Sequence, residues 1–384
     1  MPLPRRLHRL ADADGRVDVR ALSRADLAVL LEHLGDEQPD GRALRLYKHL
    51  WQKRSDTFDA VHTISKDTRR LLDQHARISG LELKHRFKSA DGTRKYLWTL
   101  HDGHTIESVL IPDTDRPGPN PARLTLCVST QVGCAMACSF CLTGDLGLKR
   151  NLTPAEIALQ PMLVQQDIED DPAGGPRITN IVMMGMGEPL HNFDHVVTAL
   201  GVMLDEEALN FSHRRVTVST VGLVPRMKKL AETLPVNIAV SLNASTEAQR
   251  RQVMPVTLKY SMAELMQACR ELPLPAGKRI TFEYVMMAGF NDAMEDAARI
   301  HDLMQGVPAK VNLIPYNENP DRDIRRPTDE RVKAFQHYLV SRGVHCSVRT
   351  TRGRDISAAC GQLGKAAERM ADRIFTGQDP PSMG

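Results

Sequence analysis

No run of apolar residues in this 384-residue chain approaches the ~20 needed to span a bilayer. The opening stretch, "MPLPRRLHRLADADGR", is basic but lacks the continuous apolar core of a signal peptide. Net charge is nearly missing too: 50 basic residues face 47 acidic ones, a balance of +3. The balance therefore excludes no partner, and basic groups recur at Arg69-Arg70, 84–88, 213–215, Lys228-Lys229, Arg325-Arg326 and 349–354. Such groups are usually solvated surface, and they form a nucleic-acid footprint only if several share a face. There is no internal repeat and no low-complexity tract. The seven cysteines are an odd number in a chain that is 42% hydrophobic. So large a core does not need disulfide staples, and no secreted disulfide framework is expected. No membrane contact and a reducing cytoplasm are the simplest expectations.

What is present divides the chain. The length prior is roughly two or three domains. Residues 1–20 are charged and read as a flexible N-terminus. Residues 21–80 read as a small helical accessory domain, with Ser23 and Ser65 at N-cap positions and Gly35 ending the first helix. Residues 81–122 read as a β extension with turns at Asp91-Gly92 and Asp102-Gly103, then the proline-rich linker "PDTDRPGPNPAR". From residue 123 to 376, strand-like runs ("RLTLCVS", "ITNIVMMG", "RVTVST", "VNIAVSL", "RITFEYVMM", "KVNLIPY", "HCSVRT") alternate with helical ones. Residues 377–384 read as a tail. The alternation predicts an α/β fold with about six βαβ units, partly closed into a barrel. Glycine and polar residues gather at the C-terminal strand ends, where α/β barrels place their sites.

Four cysteines fall within "CVSTQVGCAMACSFC", residues 127–141. Cys134, Cys138 and Cys141 are spaced C-x3-C-x2-C in the loop after the first barrel strand. A structural zinc site wants four ligands, often as two C-x2-C pairs, and no second pair exists. Cys269 and Cys346 sit in helical and strand runs and read as packing residues. An iron–sulfur cluster is held by thiolates, normally four. Three would leave one iron open to a substrate or cofactor.

The triplet, with Phe140 before its last cysteine, resembles the radical S-adenosylmethionine (SAM) superfamily. That resemblance implies a [4Fe-4S] cluster whose open iron binds SAM. One-electron cleavage of SAM then gives a 5′-deoxyadenosyl radical. "MMGMGEPL", residues 183–190, would supply backbone and Glu188 to the SAM amino group. The ordered set "CVSTQVGCAMACSFCLTGDLGLKRNLT", "MMGMGEPL", "RRVTVSTVGLVP", "VNLIPYN" and "TRGRDISAACGQL" resembles more narrowly the RlmN family of RNA adenine C2 methyltransferases. By that resemblance the fold is a partial (β/α)6 radical SAM barrel. Cys360 is the cysteine that is methylated and Cys127 its resolving partner. Glu107, in "TIESVLIP", is the base. Gly187, Glu188, Ser219, Ser241, Leu242, Asn243 and Asn317 line the SAM pocket. Asn243 stands where the family often has histidine, and its amide is expected to hydrogen-bond ribose.

The implied chemistry uses two SAM molecules per turnover. The first methylates Cys360; the second yields the radical that activates this methyl for addition to the ring carbon. Adenine C2 has no lone pair to attack a sulfonium, so polar transfer fails there. Cys127 then frees the product by thiol–disulfide exchange. The implied substrates are 23S rRNA and tRNA, the donor a flavodoxin-like protein, and the state a monomer. Residues 21–76, 84–95 and 349–354 are candidate RNA contacts. Three alternatives stay open: the sister Cfr family acting at adenine C8, another radical SAM chemistry using Cys360 structurally, and a zinc RNA-binding protein. Pro189 and Pro315 fit the RlmN pattern better.

Overall fold

The structure is a computed structural model that describes residues 4–8, 11–12, 14–113, 123–172, 174–275, 277–319 and 322–364. The linker tip and the end of the chain expected as tail lie outside these residues. Three helices form the first unit: α1 (Arg24–His33), α2 (Pro39–Trp51) and α3 (Lys66–His75). The Ser23 and Ser65 side chains accept the Asp26 and Thr68 N–H groups, the hydroxyl caps the sequence predicts. A flexible start is not what the later part of the segment shows: Val17 and Asp18 pair with Ala76 and Arg77, and Val17 and Val19 are fully buried. Their apolar side chains fasten the chain to the helical unit.

One ten-stranded sheet carries the rest, with its strands ordered in space as in sequence. They are β1 (Glu82–Lys88), β2 (Arg94–Thr99), β3 (Thr105–Pro112), β4 (Leu124–Cys127), β5 (Asn180–Met183), β6 (Val216–Thr220), β7 (Asn237–Ser241), β8 (Ile280–Met286), β9 (Ala309–Pro315) and β10 (Cys346–Val348). From β1 to β4 the pairs are antiparallel; from β4 to β10 they are parallel. The β1–β2 and β2–β3 turns use Gly92 and Gly103, both at positive φ, as the sequence predicts. Helices α4 (Pro154–Asp170), α5 (Phe193–Leu204), α6 (Val224–Thr233), α7 (Glu247–Val253), α8 (Met262–Glu271), α9 (Met294–Leu303) and α10 (Asp329–Ser341) lie between the parallel strands. This is a partial α/β barrel. Because β4 pairs with β3 and not with β10, an antiparallel extension occupies the edge where a closed barrel would seal. No helix among the described residues is long and apolar enough to cross a membrane.

Candidate active site

The cysteine loop is shaped by a small ribbon. Gln131–Gly133 pairs with Leu148–Asn151 and brings the loop back on itself. Gly133 has φ +74, and a Cβ there would lie 1.8 Å from the Gly147 carbonyl oxygen, so only glycine closes this ribbon. Inside the loop Ala137 takes a left-handed φ of 50. Cys141 N–H donates to Cys138 O at 3.1 Å, and Ser139 N–H to Val253 O at 3.0 Å. The three thiols thereby face one cavity with about 960 Å³ of empty space, its mouth included.

That cavity collects most of the residues expected in it: Cys134, Cys138, Cys141, Gly187, Glu188, Ser219, Ser241, Asn243, Asn317 and Cys360. Burial pushes the Cys134 thiol up to about 12 and raises Cys138 and Cys141 as well; each also feels a neighbouring cysteine. Three buried thiols on one wall ionise only against compensating positive charge. Among the described residues no three metal-ligating side chains converge on a single point.

Glu188 is buried in the loop that follows β5. Its carboxylate accepts Leu190 N–H at 3.0 Å and Val221 N–H at 2.8 Å. Burial outweighs these bonds and lifts its pKa to about 7. A ligand ammonium beside it would restore the charge, so the residues present fit the amino group of SAM. Gly187, at φ +105, lets the backbone pass Gln131, whose Cβ would be 2.6 Å from any added methyl.

Two expected pocket residues behave differently. Leu242 is fully buried in the hydrophobic core and does not line the cavity. Alternation along the chain sends it away from the face that Ser241 and Asn243 share. Asn243 lines the cavity, but its amide is already engaged. Its Oδ1 accepts Val285 N–H at 2.9 Å, and its Nδ2 points to Met254 Sδ at 3.4 Å. A left-handed φ of 56 turns it inward. Asn317 donates from Nδ2 to the Cys360 carbonyl at 3.1 Å, and its buried Oδ1 has no hydrogen-bond partner.

Cys360 lies in a turn, with no helix start around it among the described residues. Its loop is pinned to the cysteine loop: Leu142 N–H donates to Gly361 O at 2.8 Å, and Thr143 Oγ1 to Leu363 O at 2.8 Å. Cys127, remote in sequence, is brought within electrostatic reach of Cys360. Burial first, and then Cys360, push its thiol up to about 12, while Arg349 pulls the other way. Arg349 itself is held charged, chiefly by Cys360. A cation expected on the RNA-facing surface is therefore half-buried and within electrostatic reach of both cysteines.

Glu107 is buried and does not line the cavity. It accepts the Gly364 N–H at 3.2 Å and lies 3.9 Å from Lys95 Nζ. Lys95 is fully buried, so it is no surface RNA contact; its ammonium donates to Ser357 O at 3.2 Å. The β extension thus underpins the Cys360 loop.

Arg250 escapes sequence reading. It is a buried cation on α7 that donates to the carbonyls of Val221 (2.7 Å), Ser241 (3.1 Å) and Leu242 (3.2 Å) and to Thr257 Oγ1 (2.9 Å). Burial lowers its pKa to about 10. It ties the ends of β6 and β7 where both feed the cavity wall. In sequence it is one of two adjacent arginines in a polar helix, and nothing local marks it.

Residues 128–300 match the Radical SAM superfamily model. The chain is 49% identical over 349 residues to the dual-specificity RNA methyltransferase RlmN of Pelobacter propionicus, covering 91% of this chain and 96% of that protein. It is 47% identical to RlmN 2 of Myxococcus xanthus, covering 92% of each. A radical SAM methyltransferase from Sphaerobacter thermophilus superposes with a TM-score of 0.82 at 39% identity, over 91% of this chain and 99% of that one. The cofactors of such proteins are a [4Fe-4S] cluster and SAM, and the cavity fits both. By identity and coverage across nearly its whole length, the chain belongs to the RlmN family within the radical SAM superfamily.

Proposed function

We propose that the protein methylates C2 of adenine in RNA, with 23S rRNA and tRNA as its substrates and Cys360 as the methyl carrier. The observation that carries this reading is Cys360 on the wall of the three-cysteine cavity, with its loop hydrogen-bonded to the cysteine loop and Cys127 within electrostatic reach of it. Cys134, Cys138 and Cys141 would hold the cluster. Gly187, Glu188, Ser219, Ser241, Asn243 and Asn317 would surround SAM. When bound, the pair supplies one-electron chemistry that removes a hydrogen atom from an unactivated methyl group.

The chain's own residues do the rest. Cys360 accepts a methyl group on sulfur as a nucleophile. Asn317 and Leu142 fix its loop so that the methyl faces the cavity. Arg349 favours the thiolate of Cys127 against its burial. Glu107 takes the C2 proton. It shares a strand face with Val109 and Ile111, and Ile111 lines the space behind Cys360. Cys127 attacks the Cys360 sulfur; the carbon–sulfur bond breaks with its electron pair moving to the product carbon, which takes up a proton to become the methyl group, and a disulfide is left between the two cysteines. A reducing cytoplasm returns both thiols. The electron donor is a flavodoxin-like protein, and the enzyme acts as a monomer.

The test is nucleoside analysis of 23S rRNA and tRNA after turnover with anaerobically reconstituted enzyme. 2-Methyladenosine in both supports the proposal. 8-Methyladenosine alone would move the protein to Cfr-type chemistry.

A further inference from the structure

Closed parallel barrels fill their inward positions with branched apolar side chains. Half of this barrel does not. The outward positions of its strands are apolar and buried, as at Leu126, Val218, Phe282 and Leu313. The inward positions near the strand starts include Thr125, Thr217, Thr281, Lys310, Asn312 and Ser347, joined by Glu283, with Val182 the apolar one on β5. They surround a second cavity with about 1270 Å³ of empty space, its mouth included. Ser347 Oγ donates to Asn312 Oδ1 at 3.1 Å, and Asn312 Nδ2 to Glu283 Oε2 at 2.8 Å. The cavity is electropositive: Arg123, Lys310, Arg349 and Arg352 outnumber Asp113 and Glu283.

The two cavities are neighbours. Met184 and Glu283 line both. A narrower space lies between them beside Cys360. It shares Ile314, Asn317 and Cys360 with the cysteine cavity, and Ile111, Arg349, Thr350 and Arg352 with the polar one. Cys360 thus stands at a wall that can be approached from two sides, one sulfur-lined and one polar.

We propose that the polar cavity is a second binding site, holding the ribose–phosphate of the RNA strand that carries the target adenine, with the base reaching Cys360 through the narrow space. This rests on the RNA methyltransferase reading above. Cations in a concave wall match phosphate, and hydroxyl and amide groups match ribose hydroxyls. The target base leaves its stack to be modified, and a separate berth for its backbone would hold it extruded while SAM occupies the other side.

The test uses reconstituted full-length holoenzyme with Lys310→Glu and Arg352→Glu, and target RNA titrated across a salt series. Each variant should bind RNA about tenfold more weakly at low salt and lose about one unit of the slope of log Kd on log salt. Cluster absorbance and SAM affinity report folding. As an independent measurement, RNA carrying 4-thiouridine beside the target adenine should crosslink to peptides spanning residues 310–312 or 347–352. Unchanged affinity and slope in both variants, with crosslinks elsewhere, overturns the site while leaving RNA methylation standing. SAM crosslinking at these peptides in place of RNA also overturns it. A wild-type enzyme that neither binds nor methylates RNA would sink the parent reading instead.

Discussion

The two halves of the barrel interior are built from the same strands and offer opposite chemistry. Toward the strand ends the wall carries sulfur, methionine and glycine beside Ser219, Ser241, Asn243 and Asn317, with Glu188 as a buried acid. Toward the strand starts it is threonine, asparagine, serine and lysine. On β8 the change takes place within one strand, from Thr281 and Glu283 to Val285. Hydrogen-atom chemistry needs a wall that excludes water and competing donors. A nucleic-acid backbone needs charge and hydrogen bonds. A single cysteine at the boundary lets one fold serve both.

The contrast can be broken from the sulfur side with the largest effect. Cys138→Ala should remove a cluster ligand, and iron and sulfide analysis should show its loss together with all detectable RNA methylation. Cys360→Ala should separate the halves: cluster content stays at the wild-type level while methylated adenosine disappears. Cys127→Ala should sharpen the order of events by leaving the enzyme covalently attached to RNA, seen as a shifted band on a denaturing gel. Arg250→Met tests the frame behind the wall. It strips the cation from three carbonyls and should cost about 3 kcal/mol of stability, read as a lower denaturation midpoint together with weaker SAM binding.

The smallest effect lies outside both halves. Asp102, in the β2–β3 turn, is held down to about 2 first by its hydrogen bond to Arg150. A depressed acid stabilises the fold above its ordinary value of 3.8 and loses that contribution as pH falls through about 2. Asp102→Asn should therefore cost about 1 kcal/mol near neutrality, after allowance for solvent screening. The gap to wild type should close as unfolding is followed down toward pH 2.

Much of this was legible in the chain. The cysteine spacing, the glycine-rich strand end and the strand–helix rhythm depend on local pattern, and local pattern is what sequence carries. Ser23 and Ser65 cap helices as expected because capping is decided within four residues. The parts that were not legible depend on facing. Leu242 sits beside two cavity residues yet points into the core. Asn243 keeps its place but gives its amide to Val285. Lys95 and Arg349 read as surface charges because basic clusters usually are; the sheet buries the first, and the fold brings the second within electrostatic reach of two distant cysteines. Arg250 holds the cavity wall through backbone carbonyls, which leave no trace in the residues that own them. The polar inner row is visible as alternation in "RITFEY" and "KVNLIP", but only the fold shows that both rows face one space.

The central claim is that the methyl group reaches adenine by way of Cys360. Turnover with SAM carrying a deuterated methyl group tests it most directly, with mass spectrometry of both the Cys360 peptide and the product nucleoside. The account predicts a fully labelled methyl on Cys360 first, then 2-methyladenosine whose methyl has lost one label to hydrogen abstraction. A product retaining every label, formed while Cys360 stays unmodified, would contradict it.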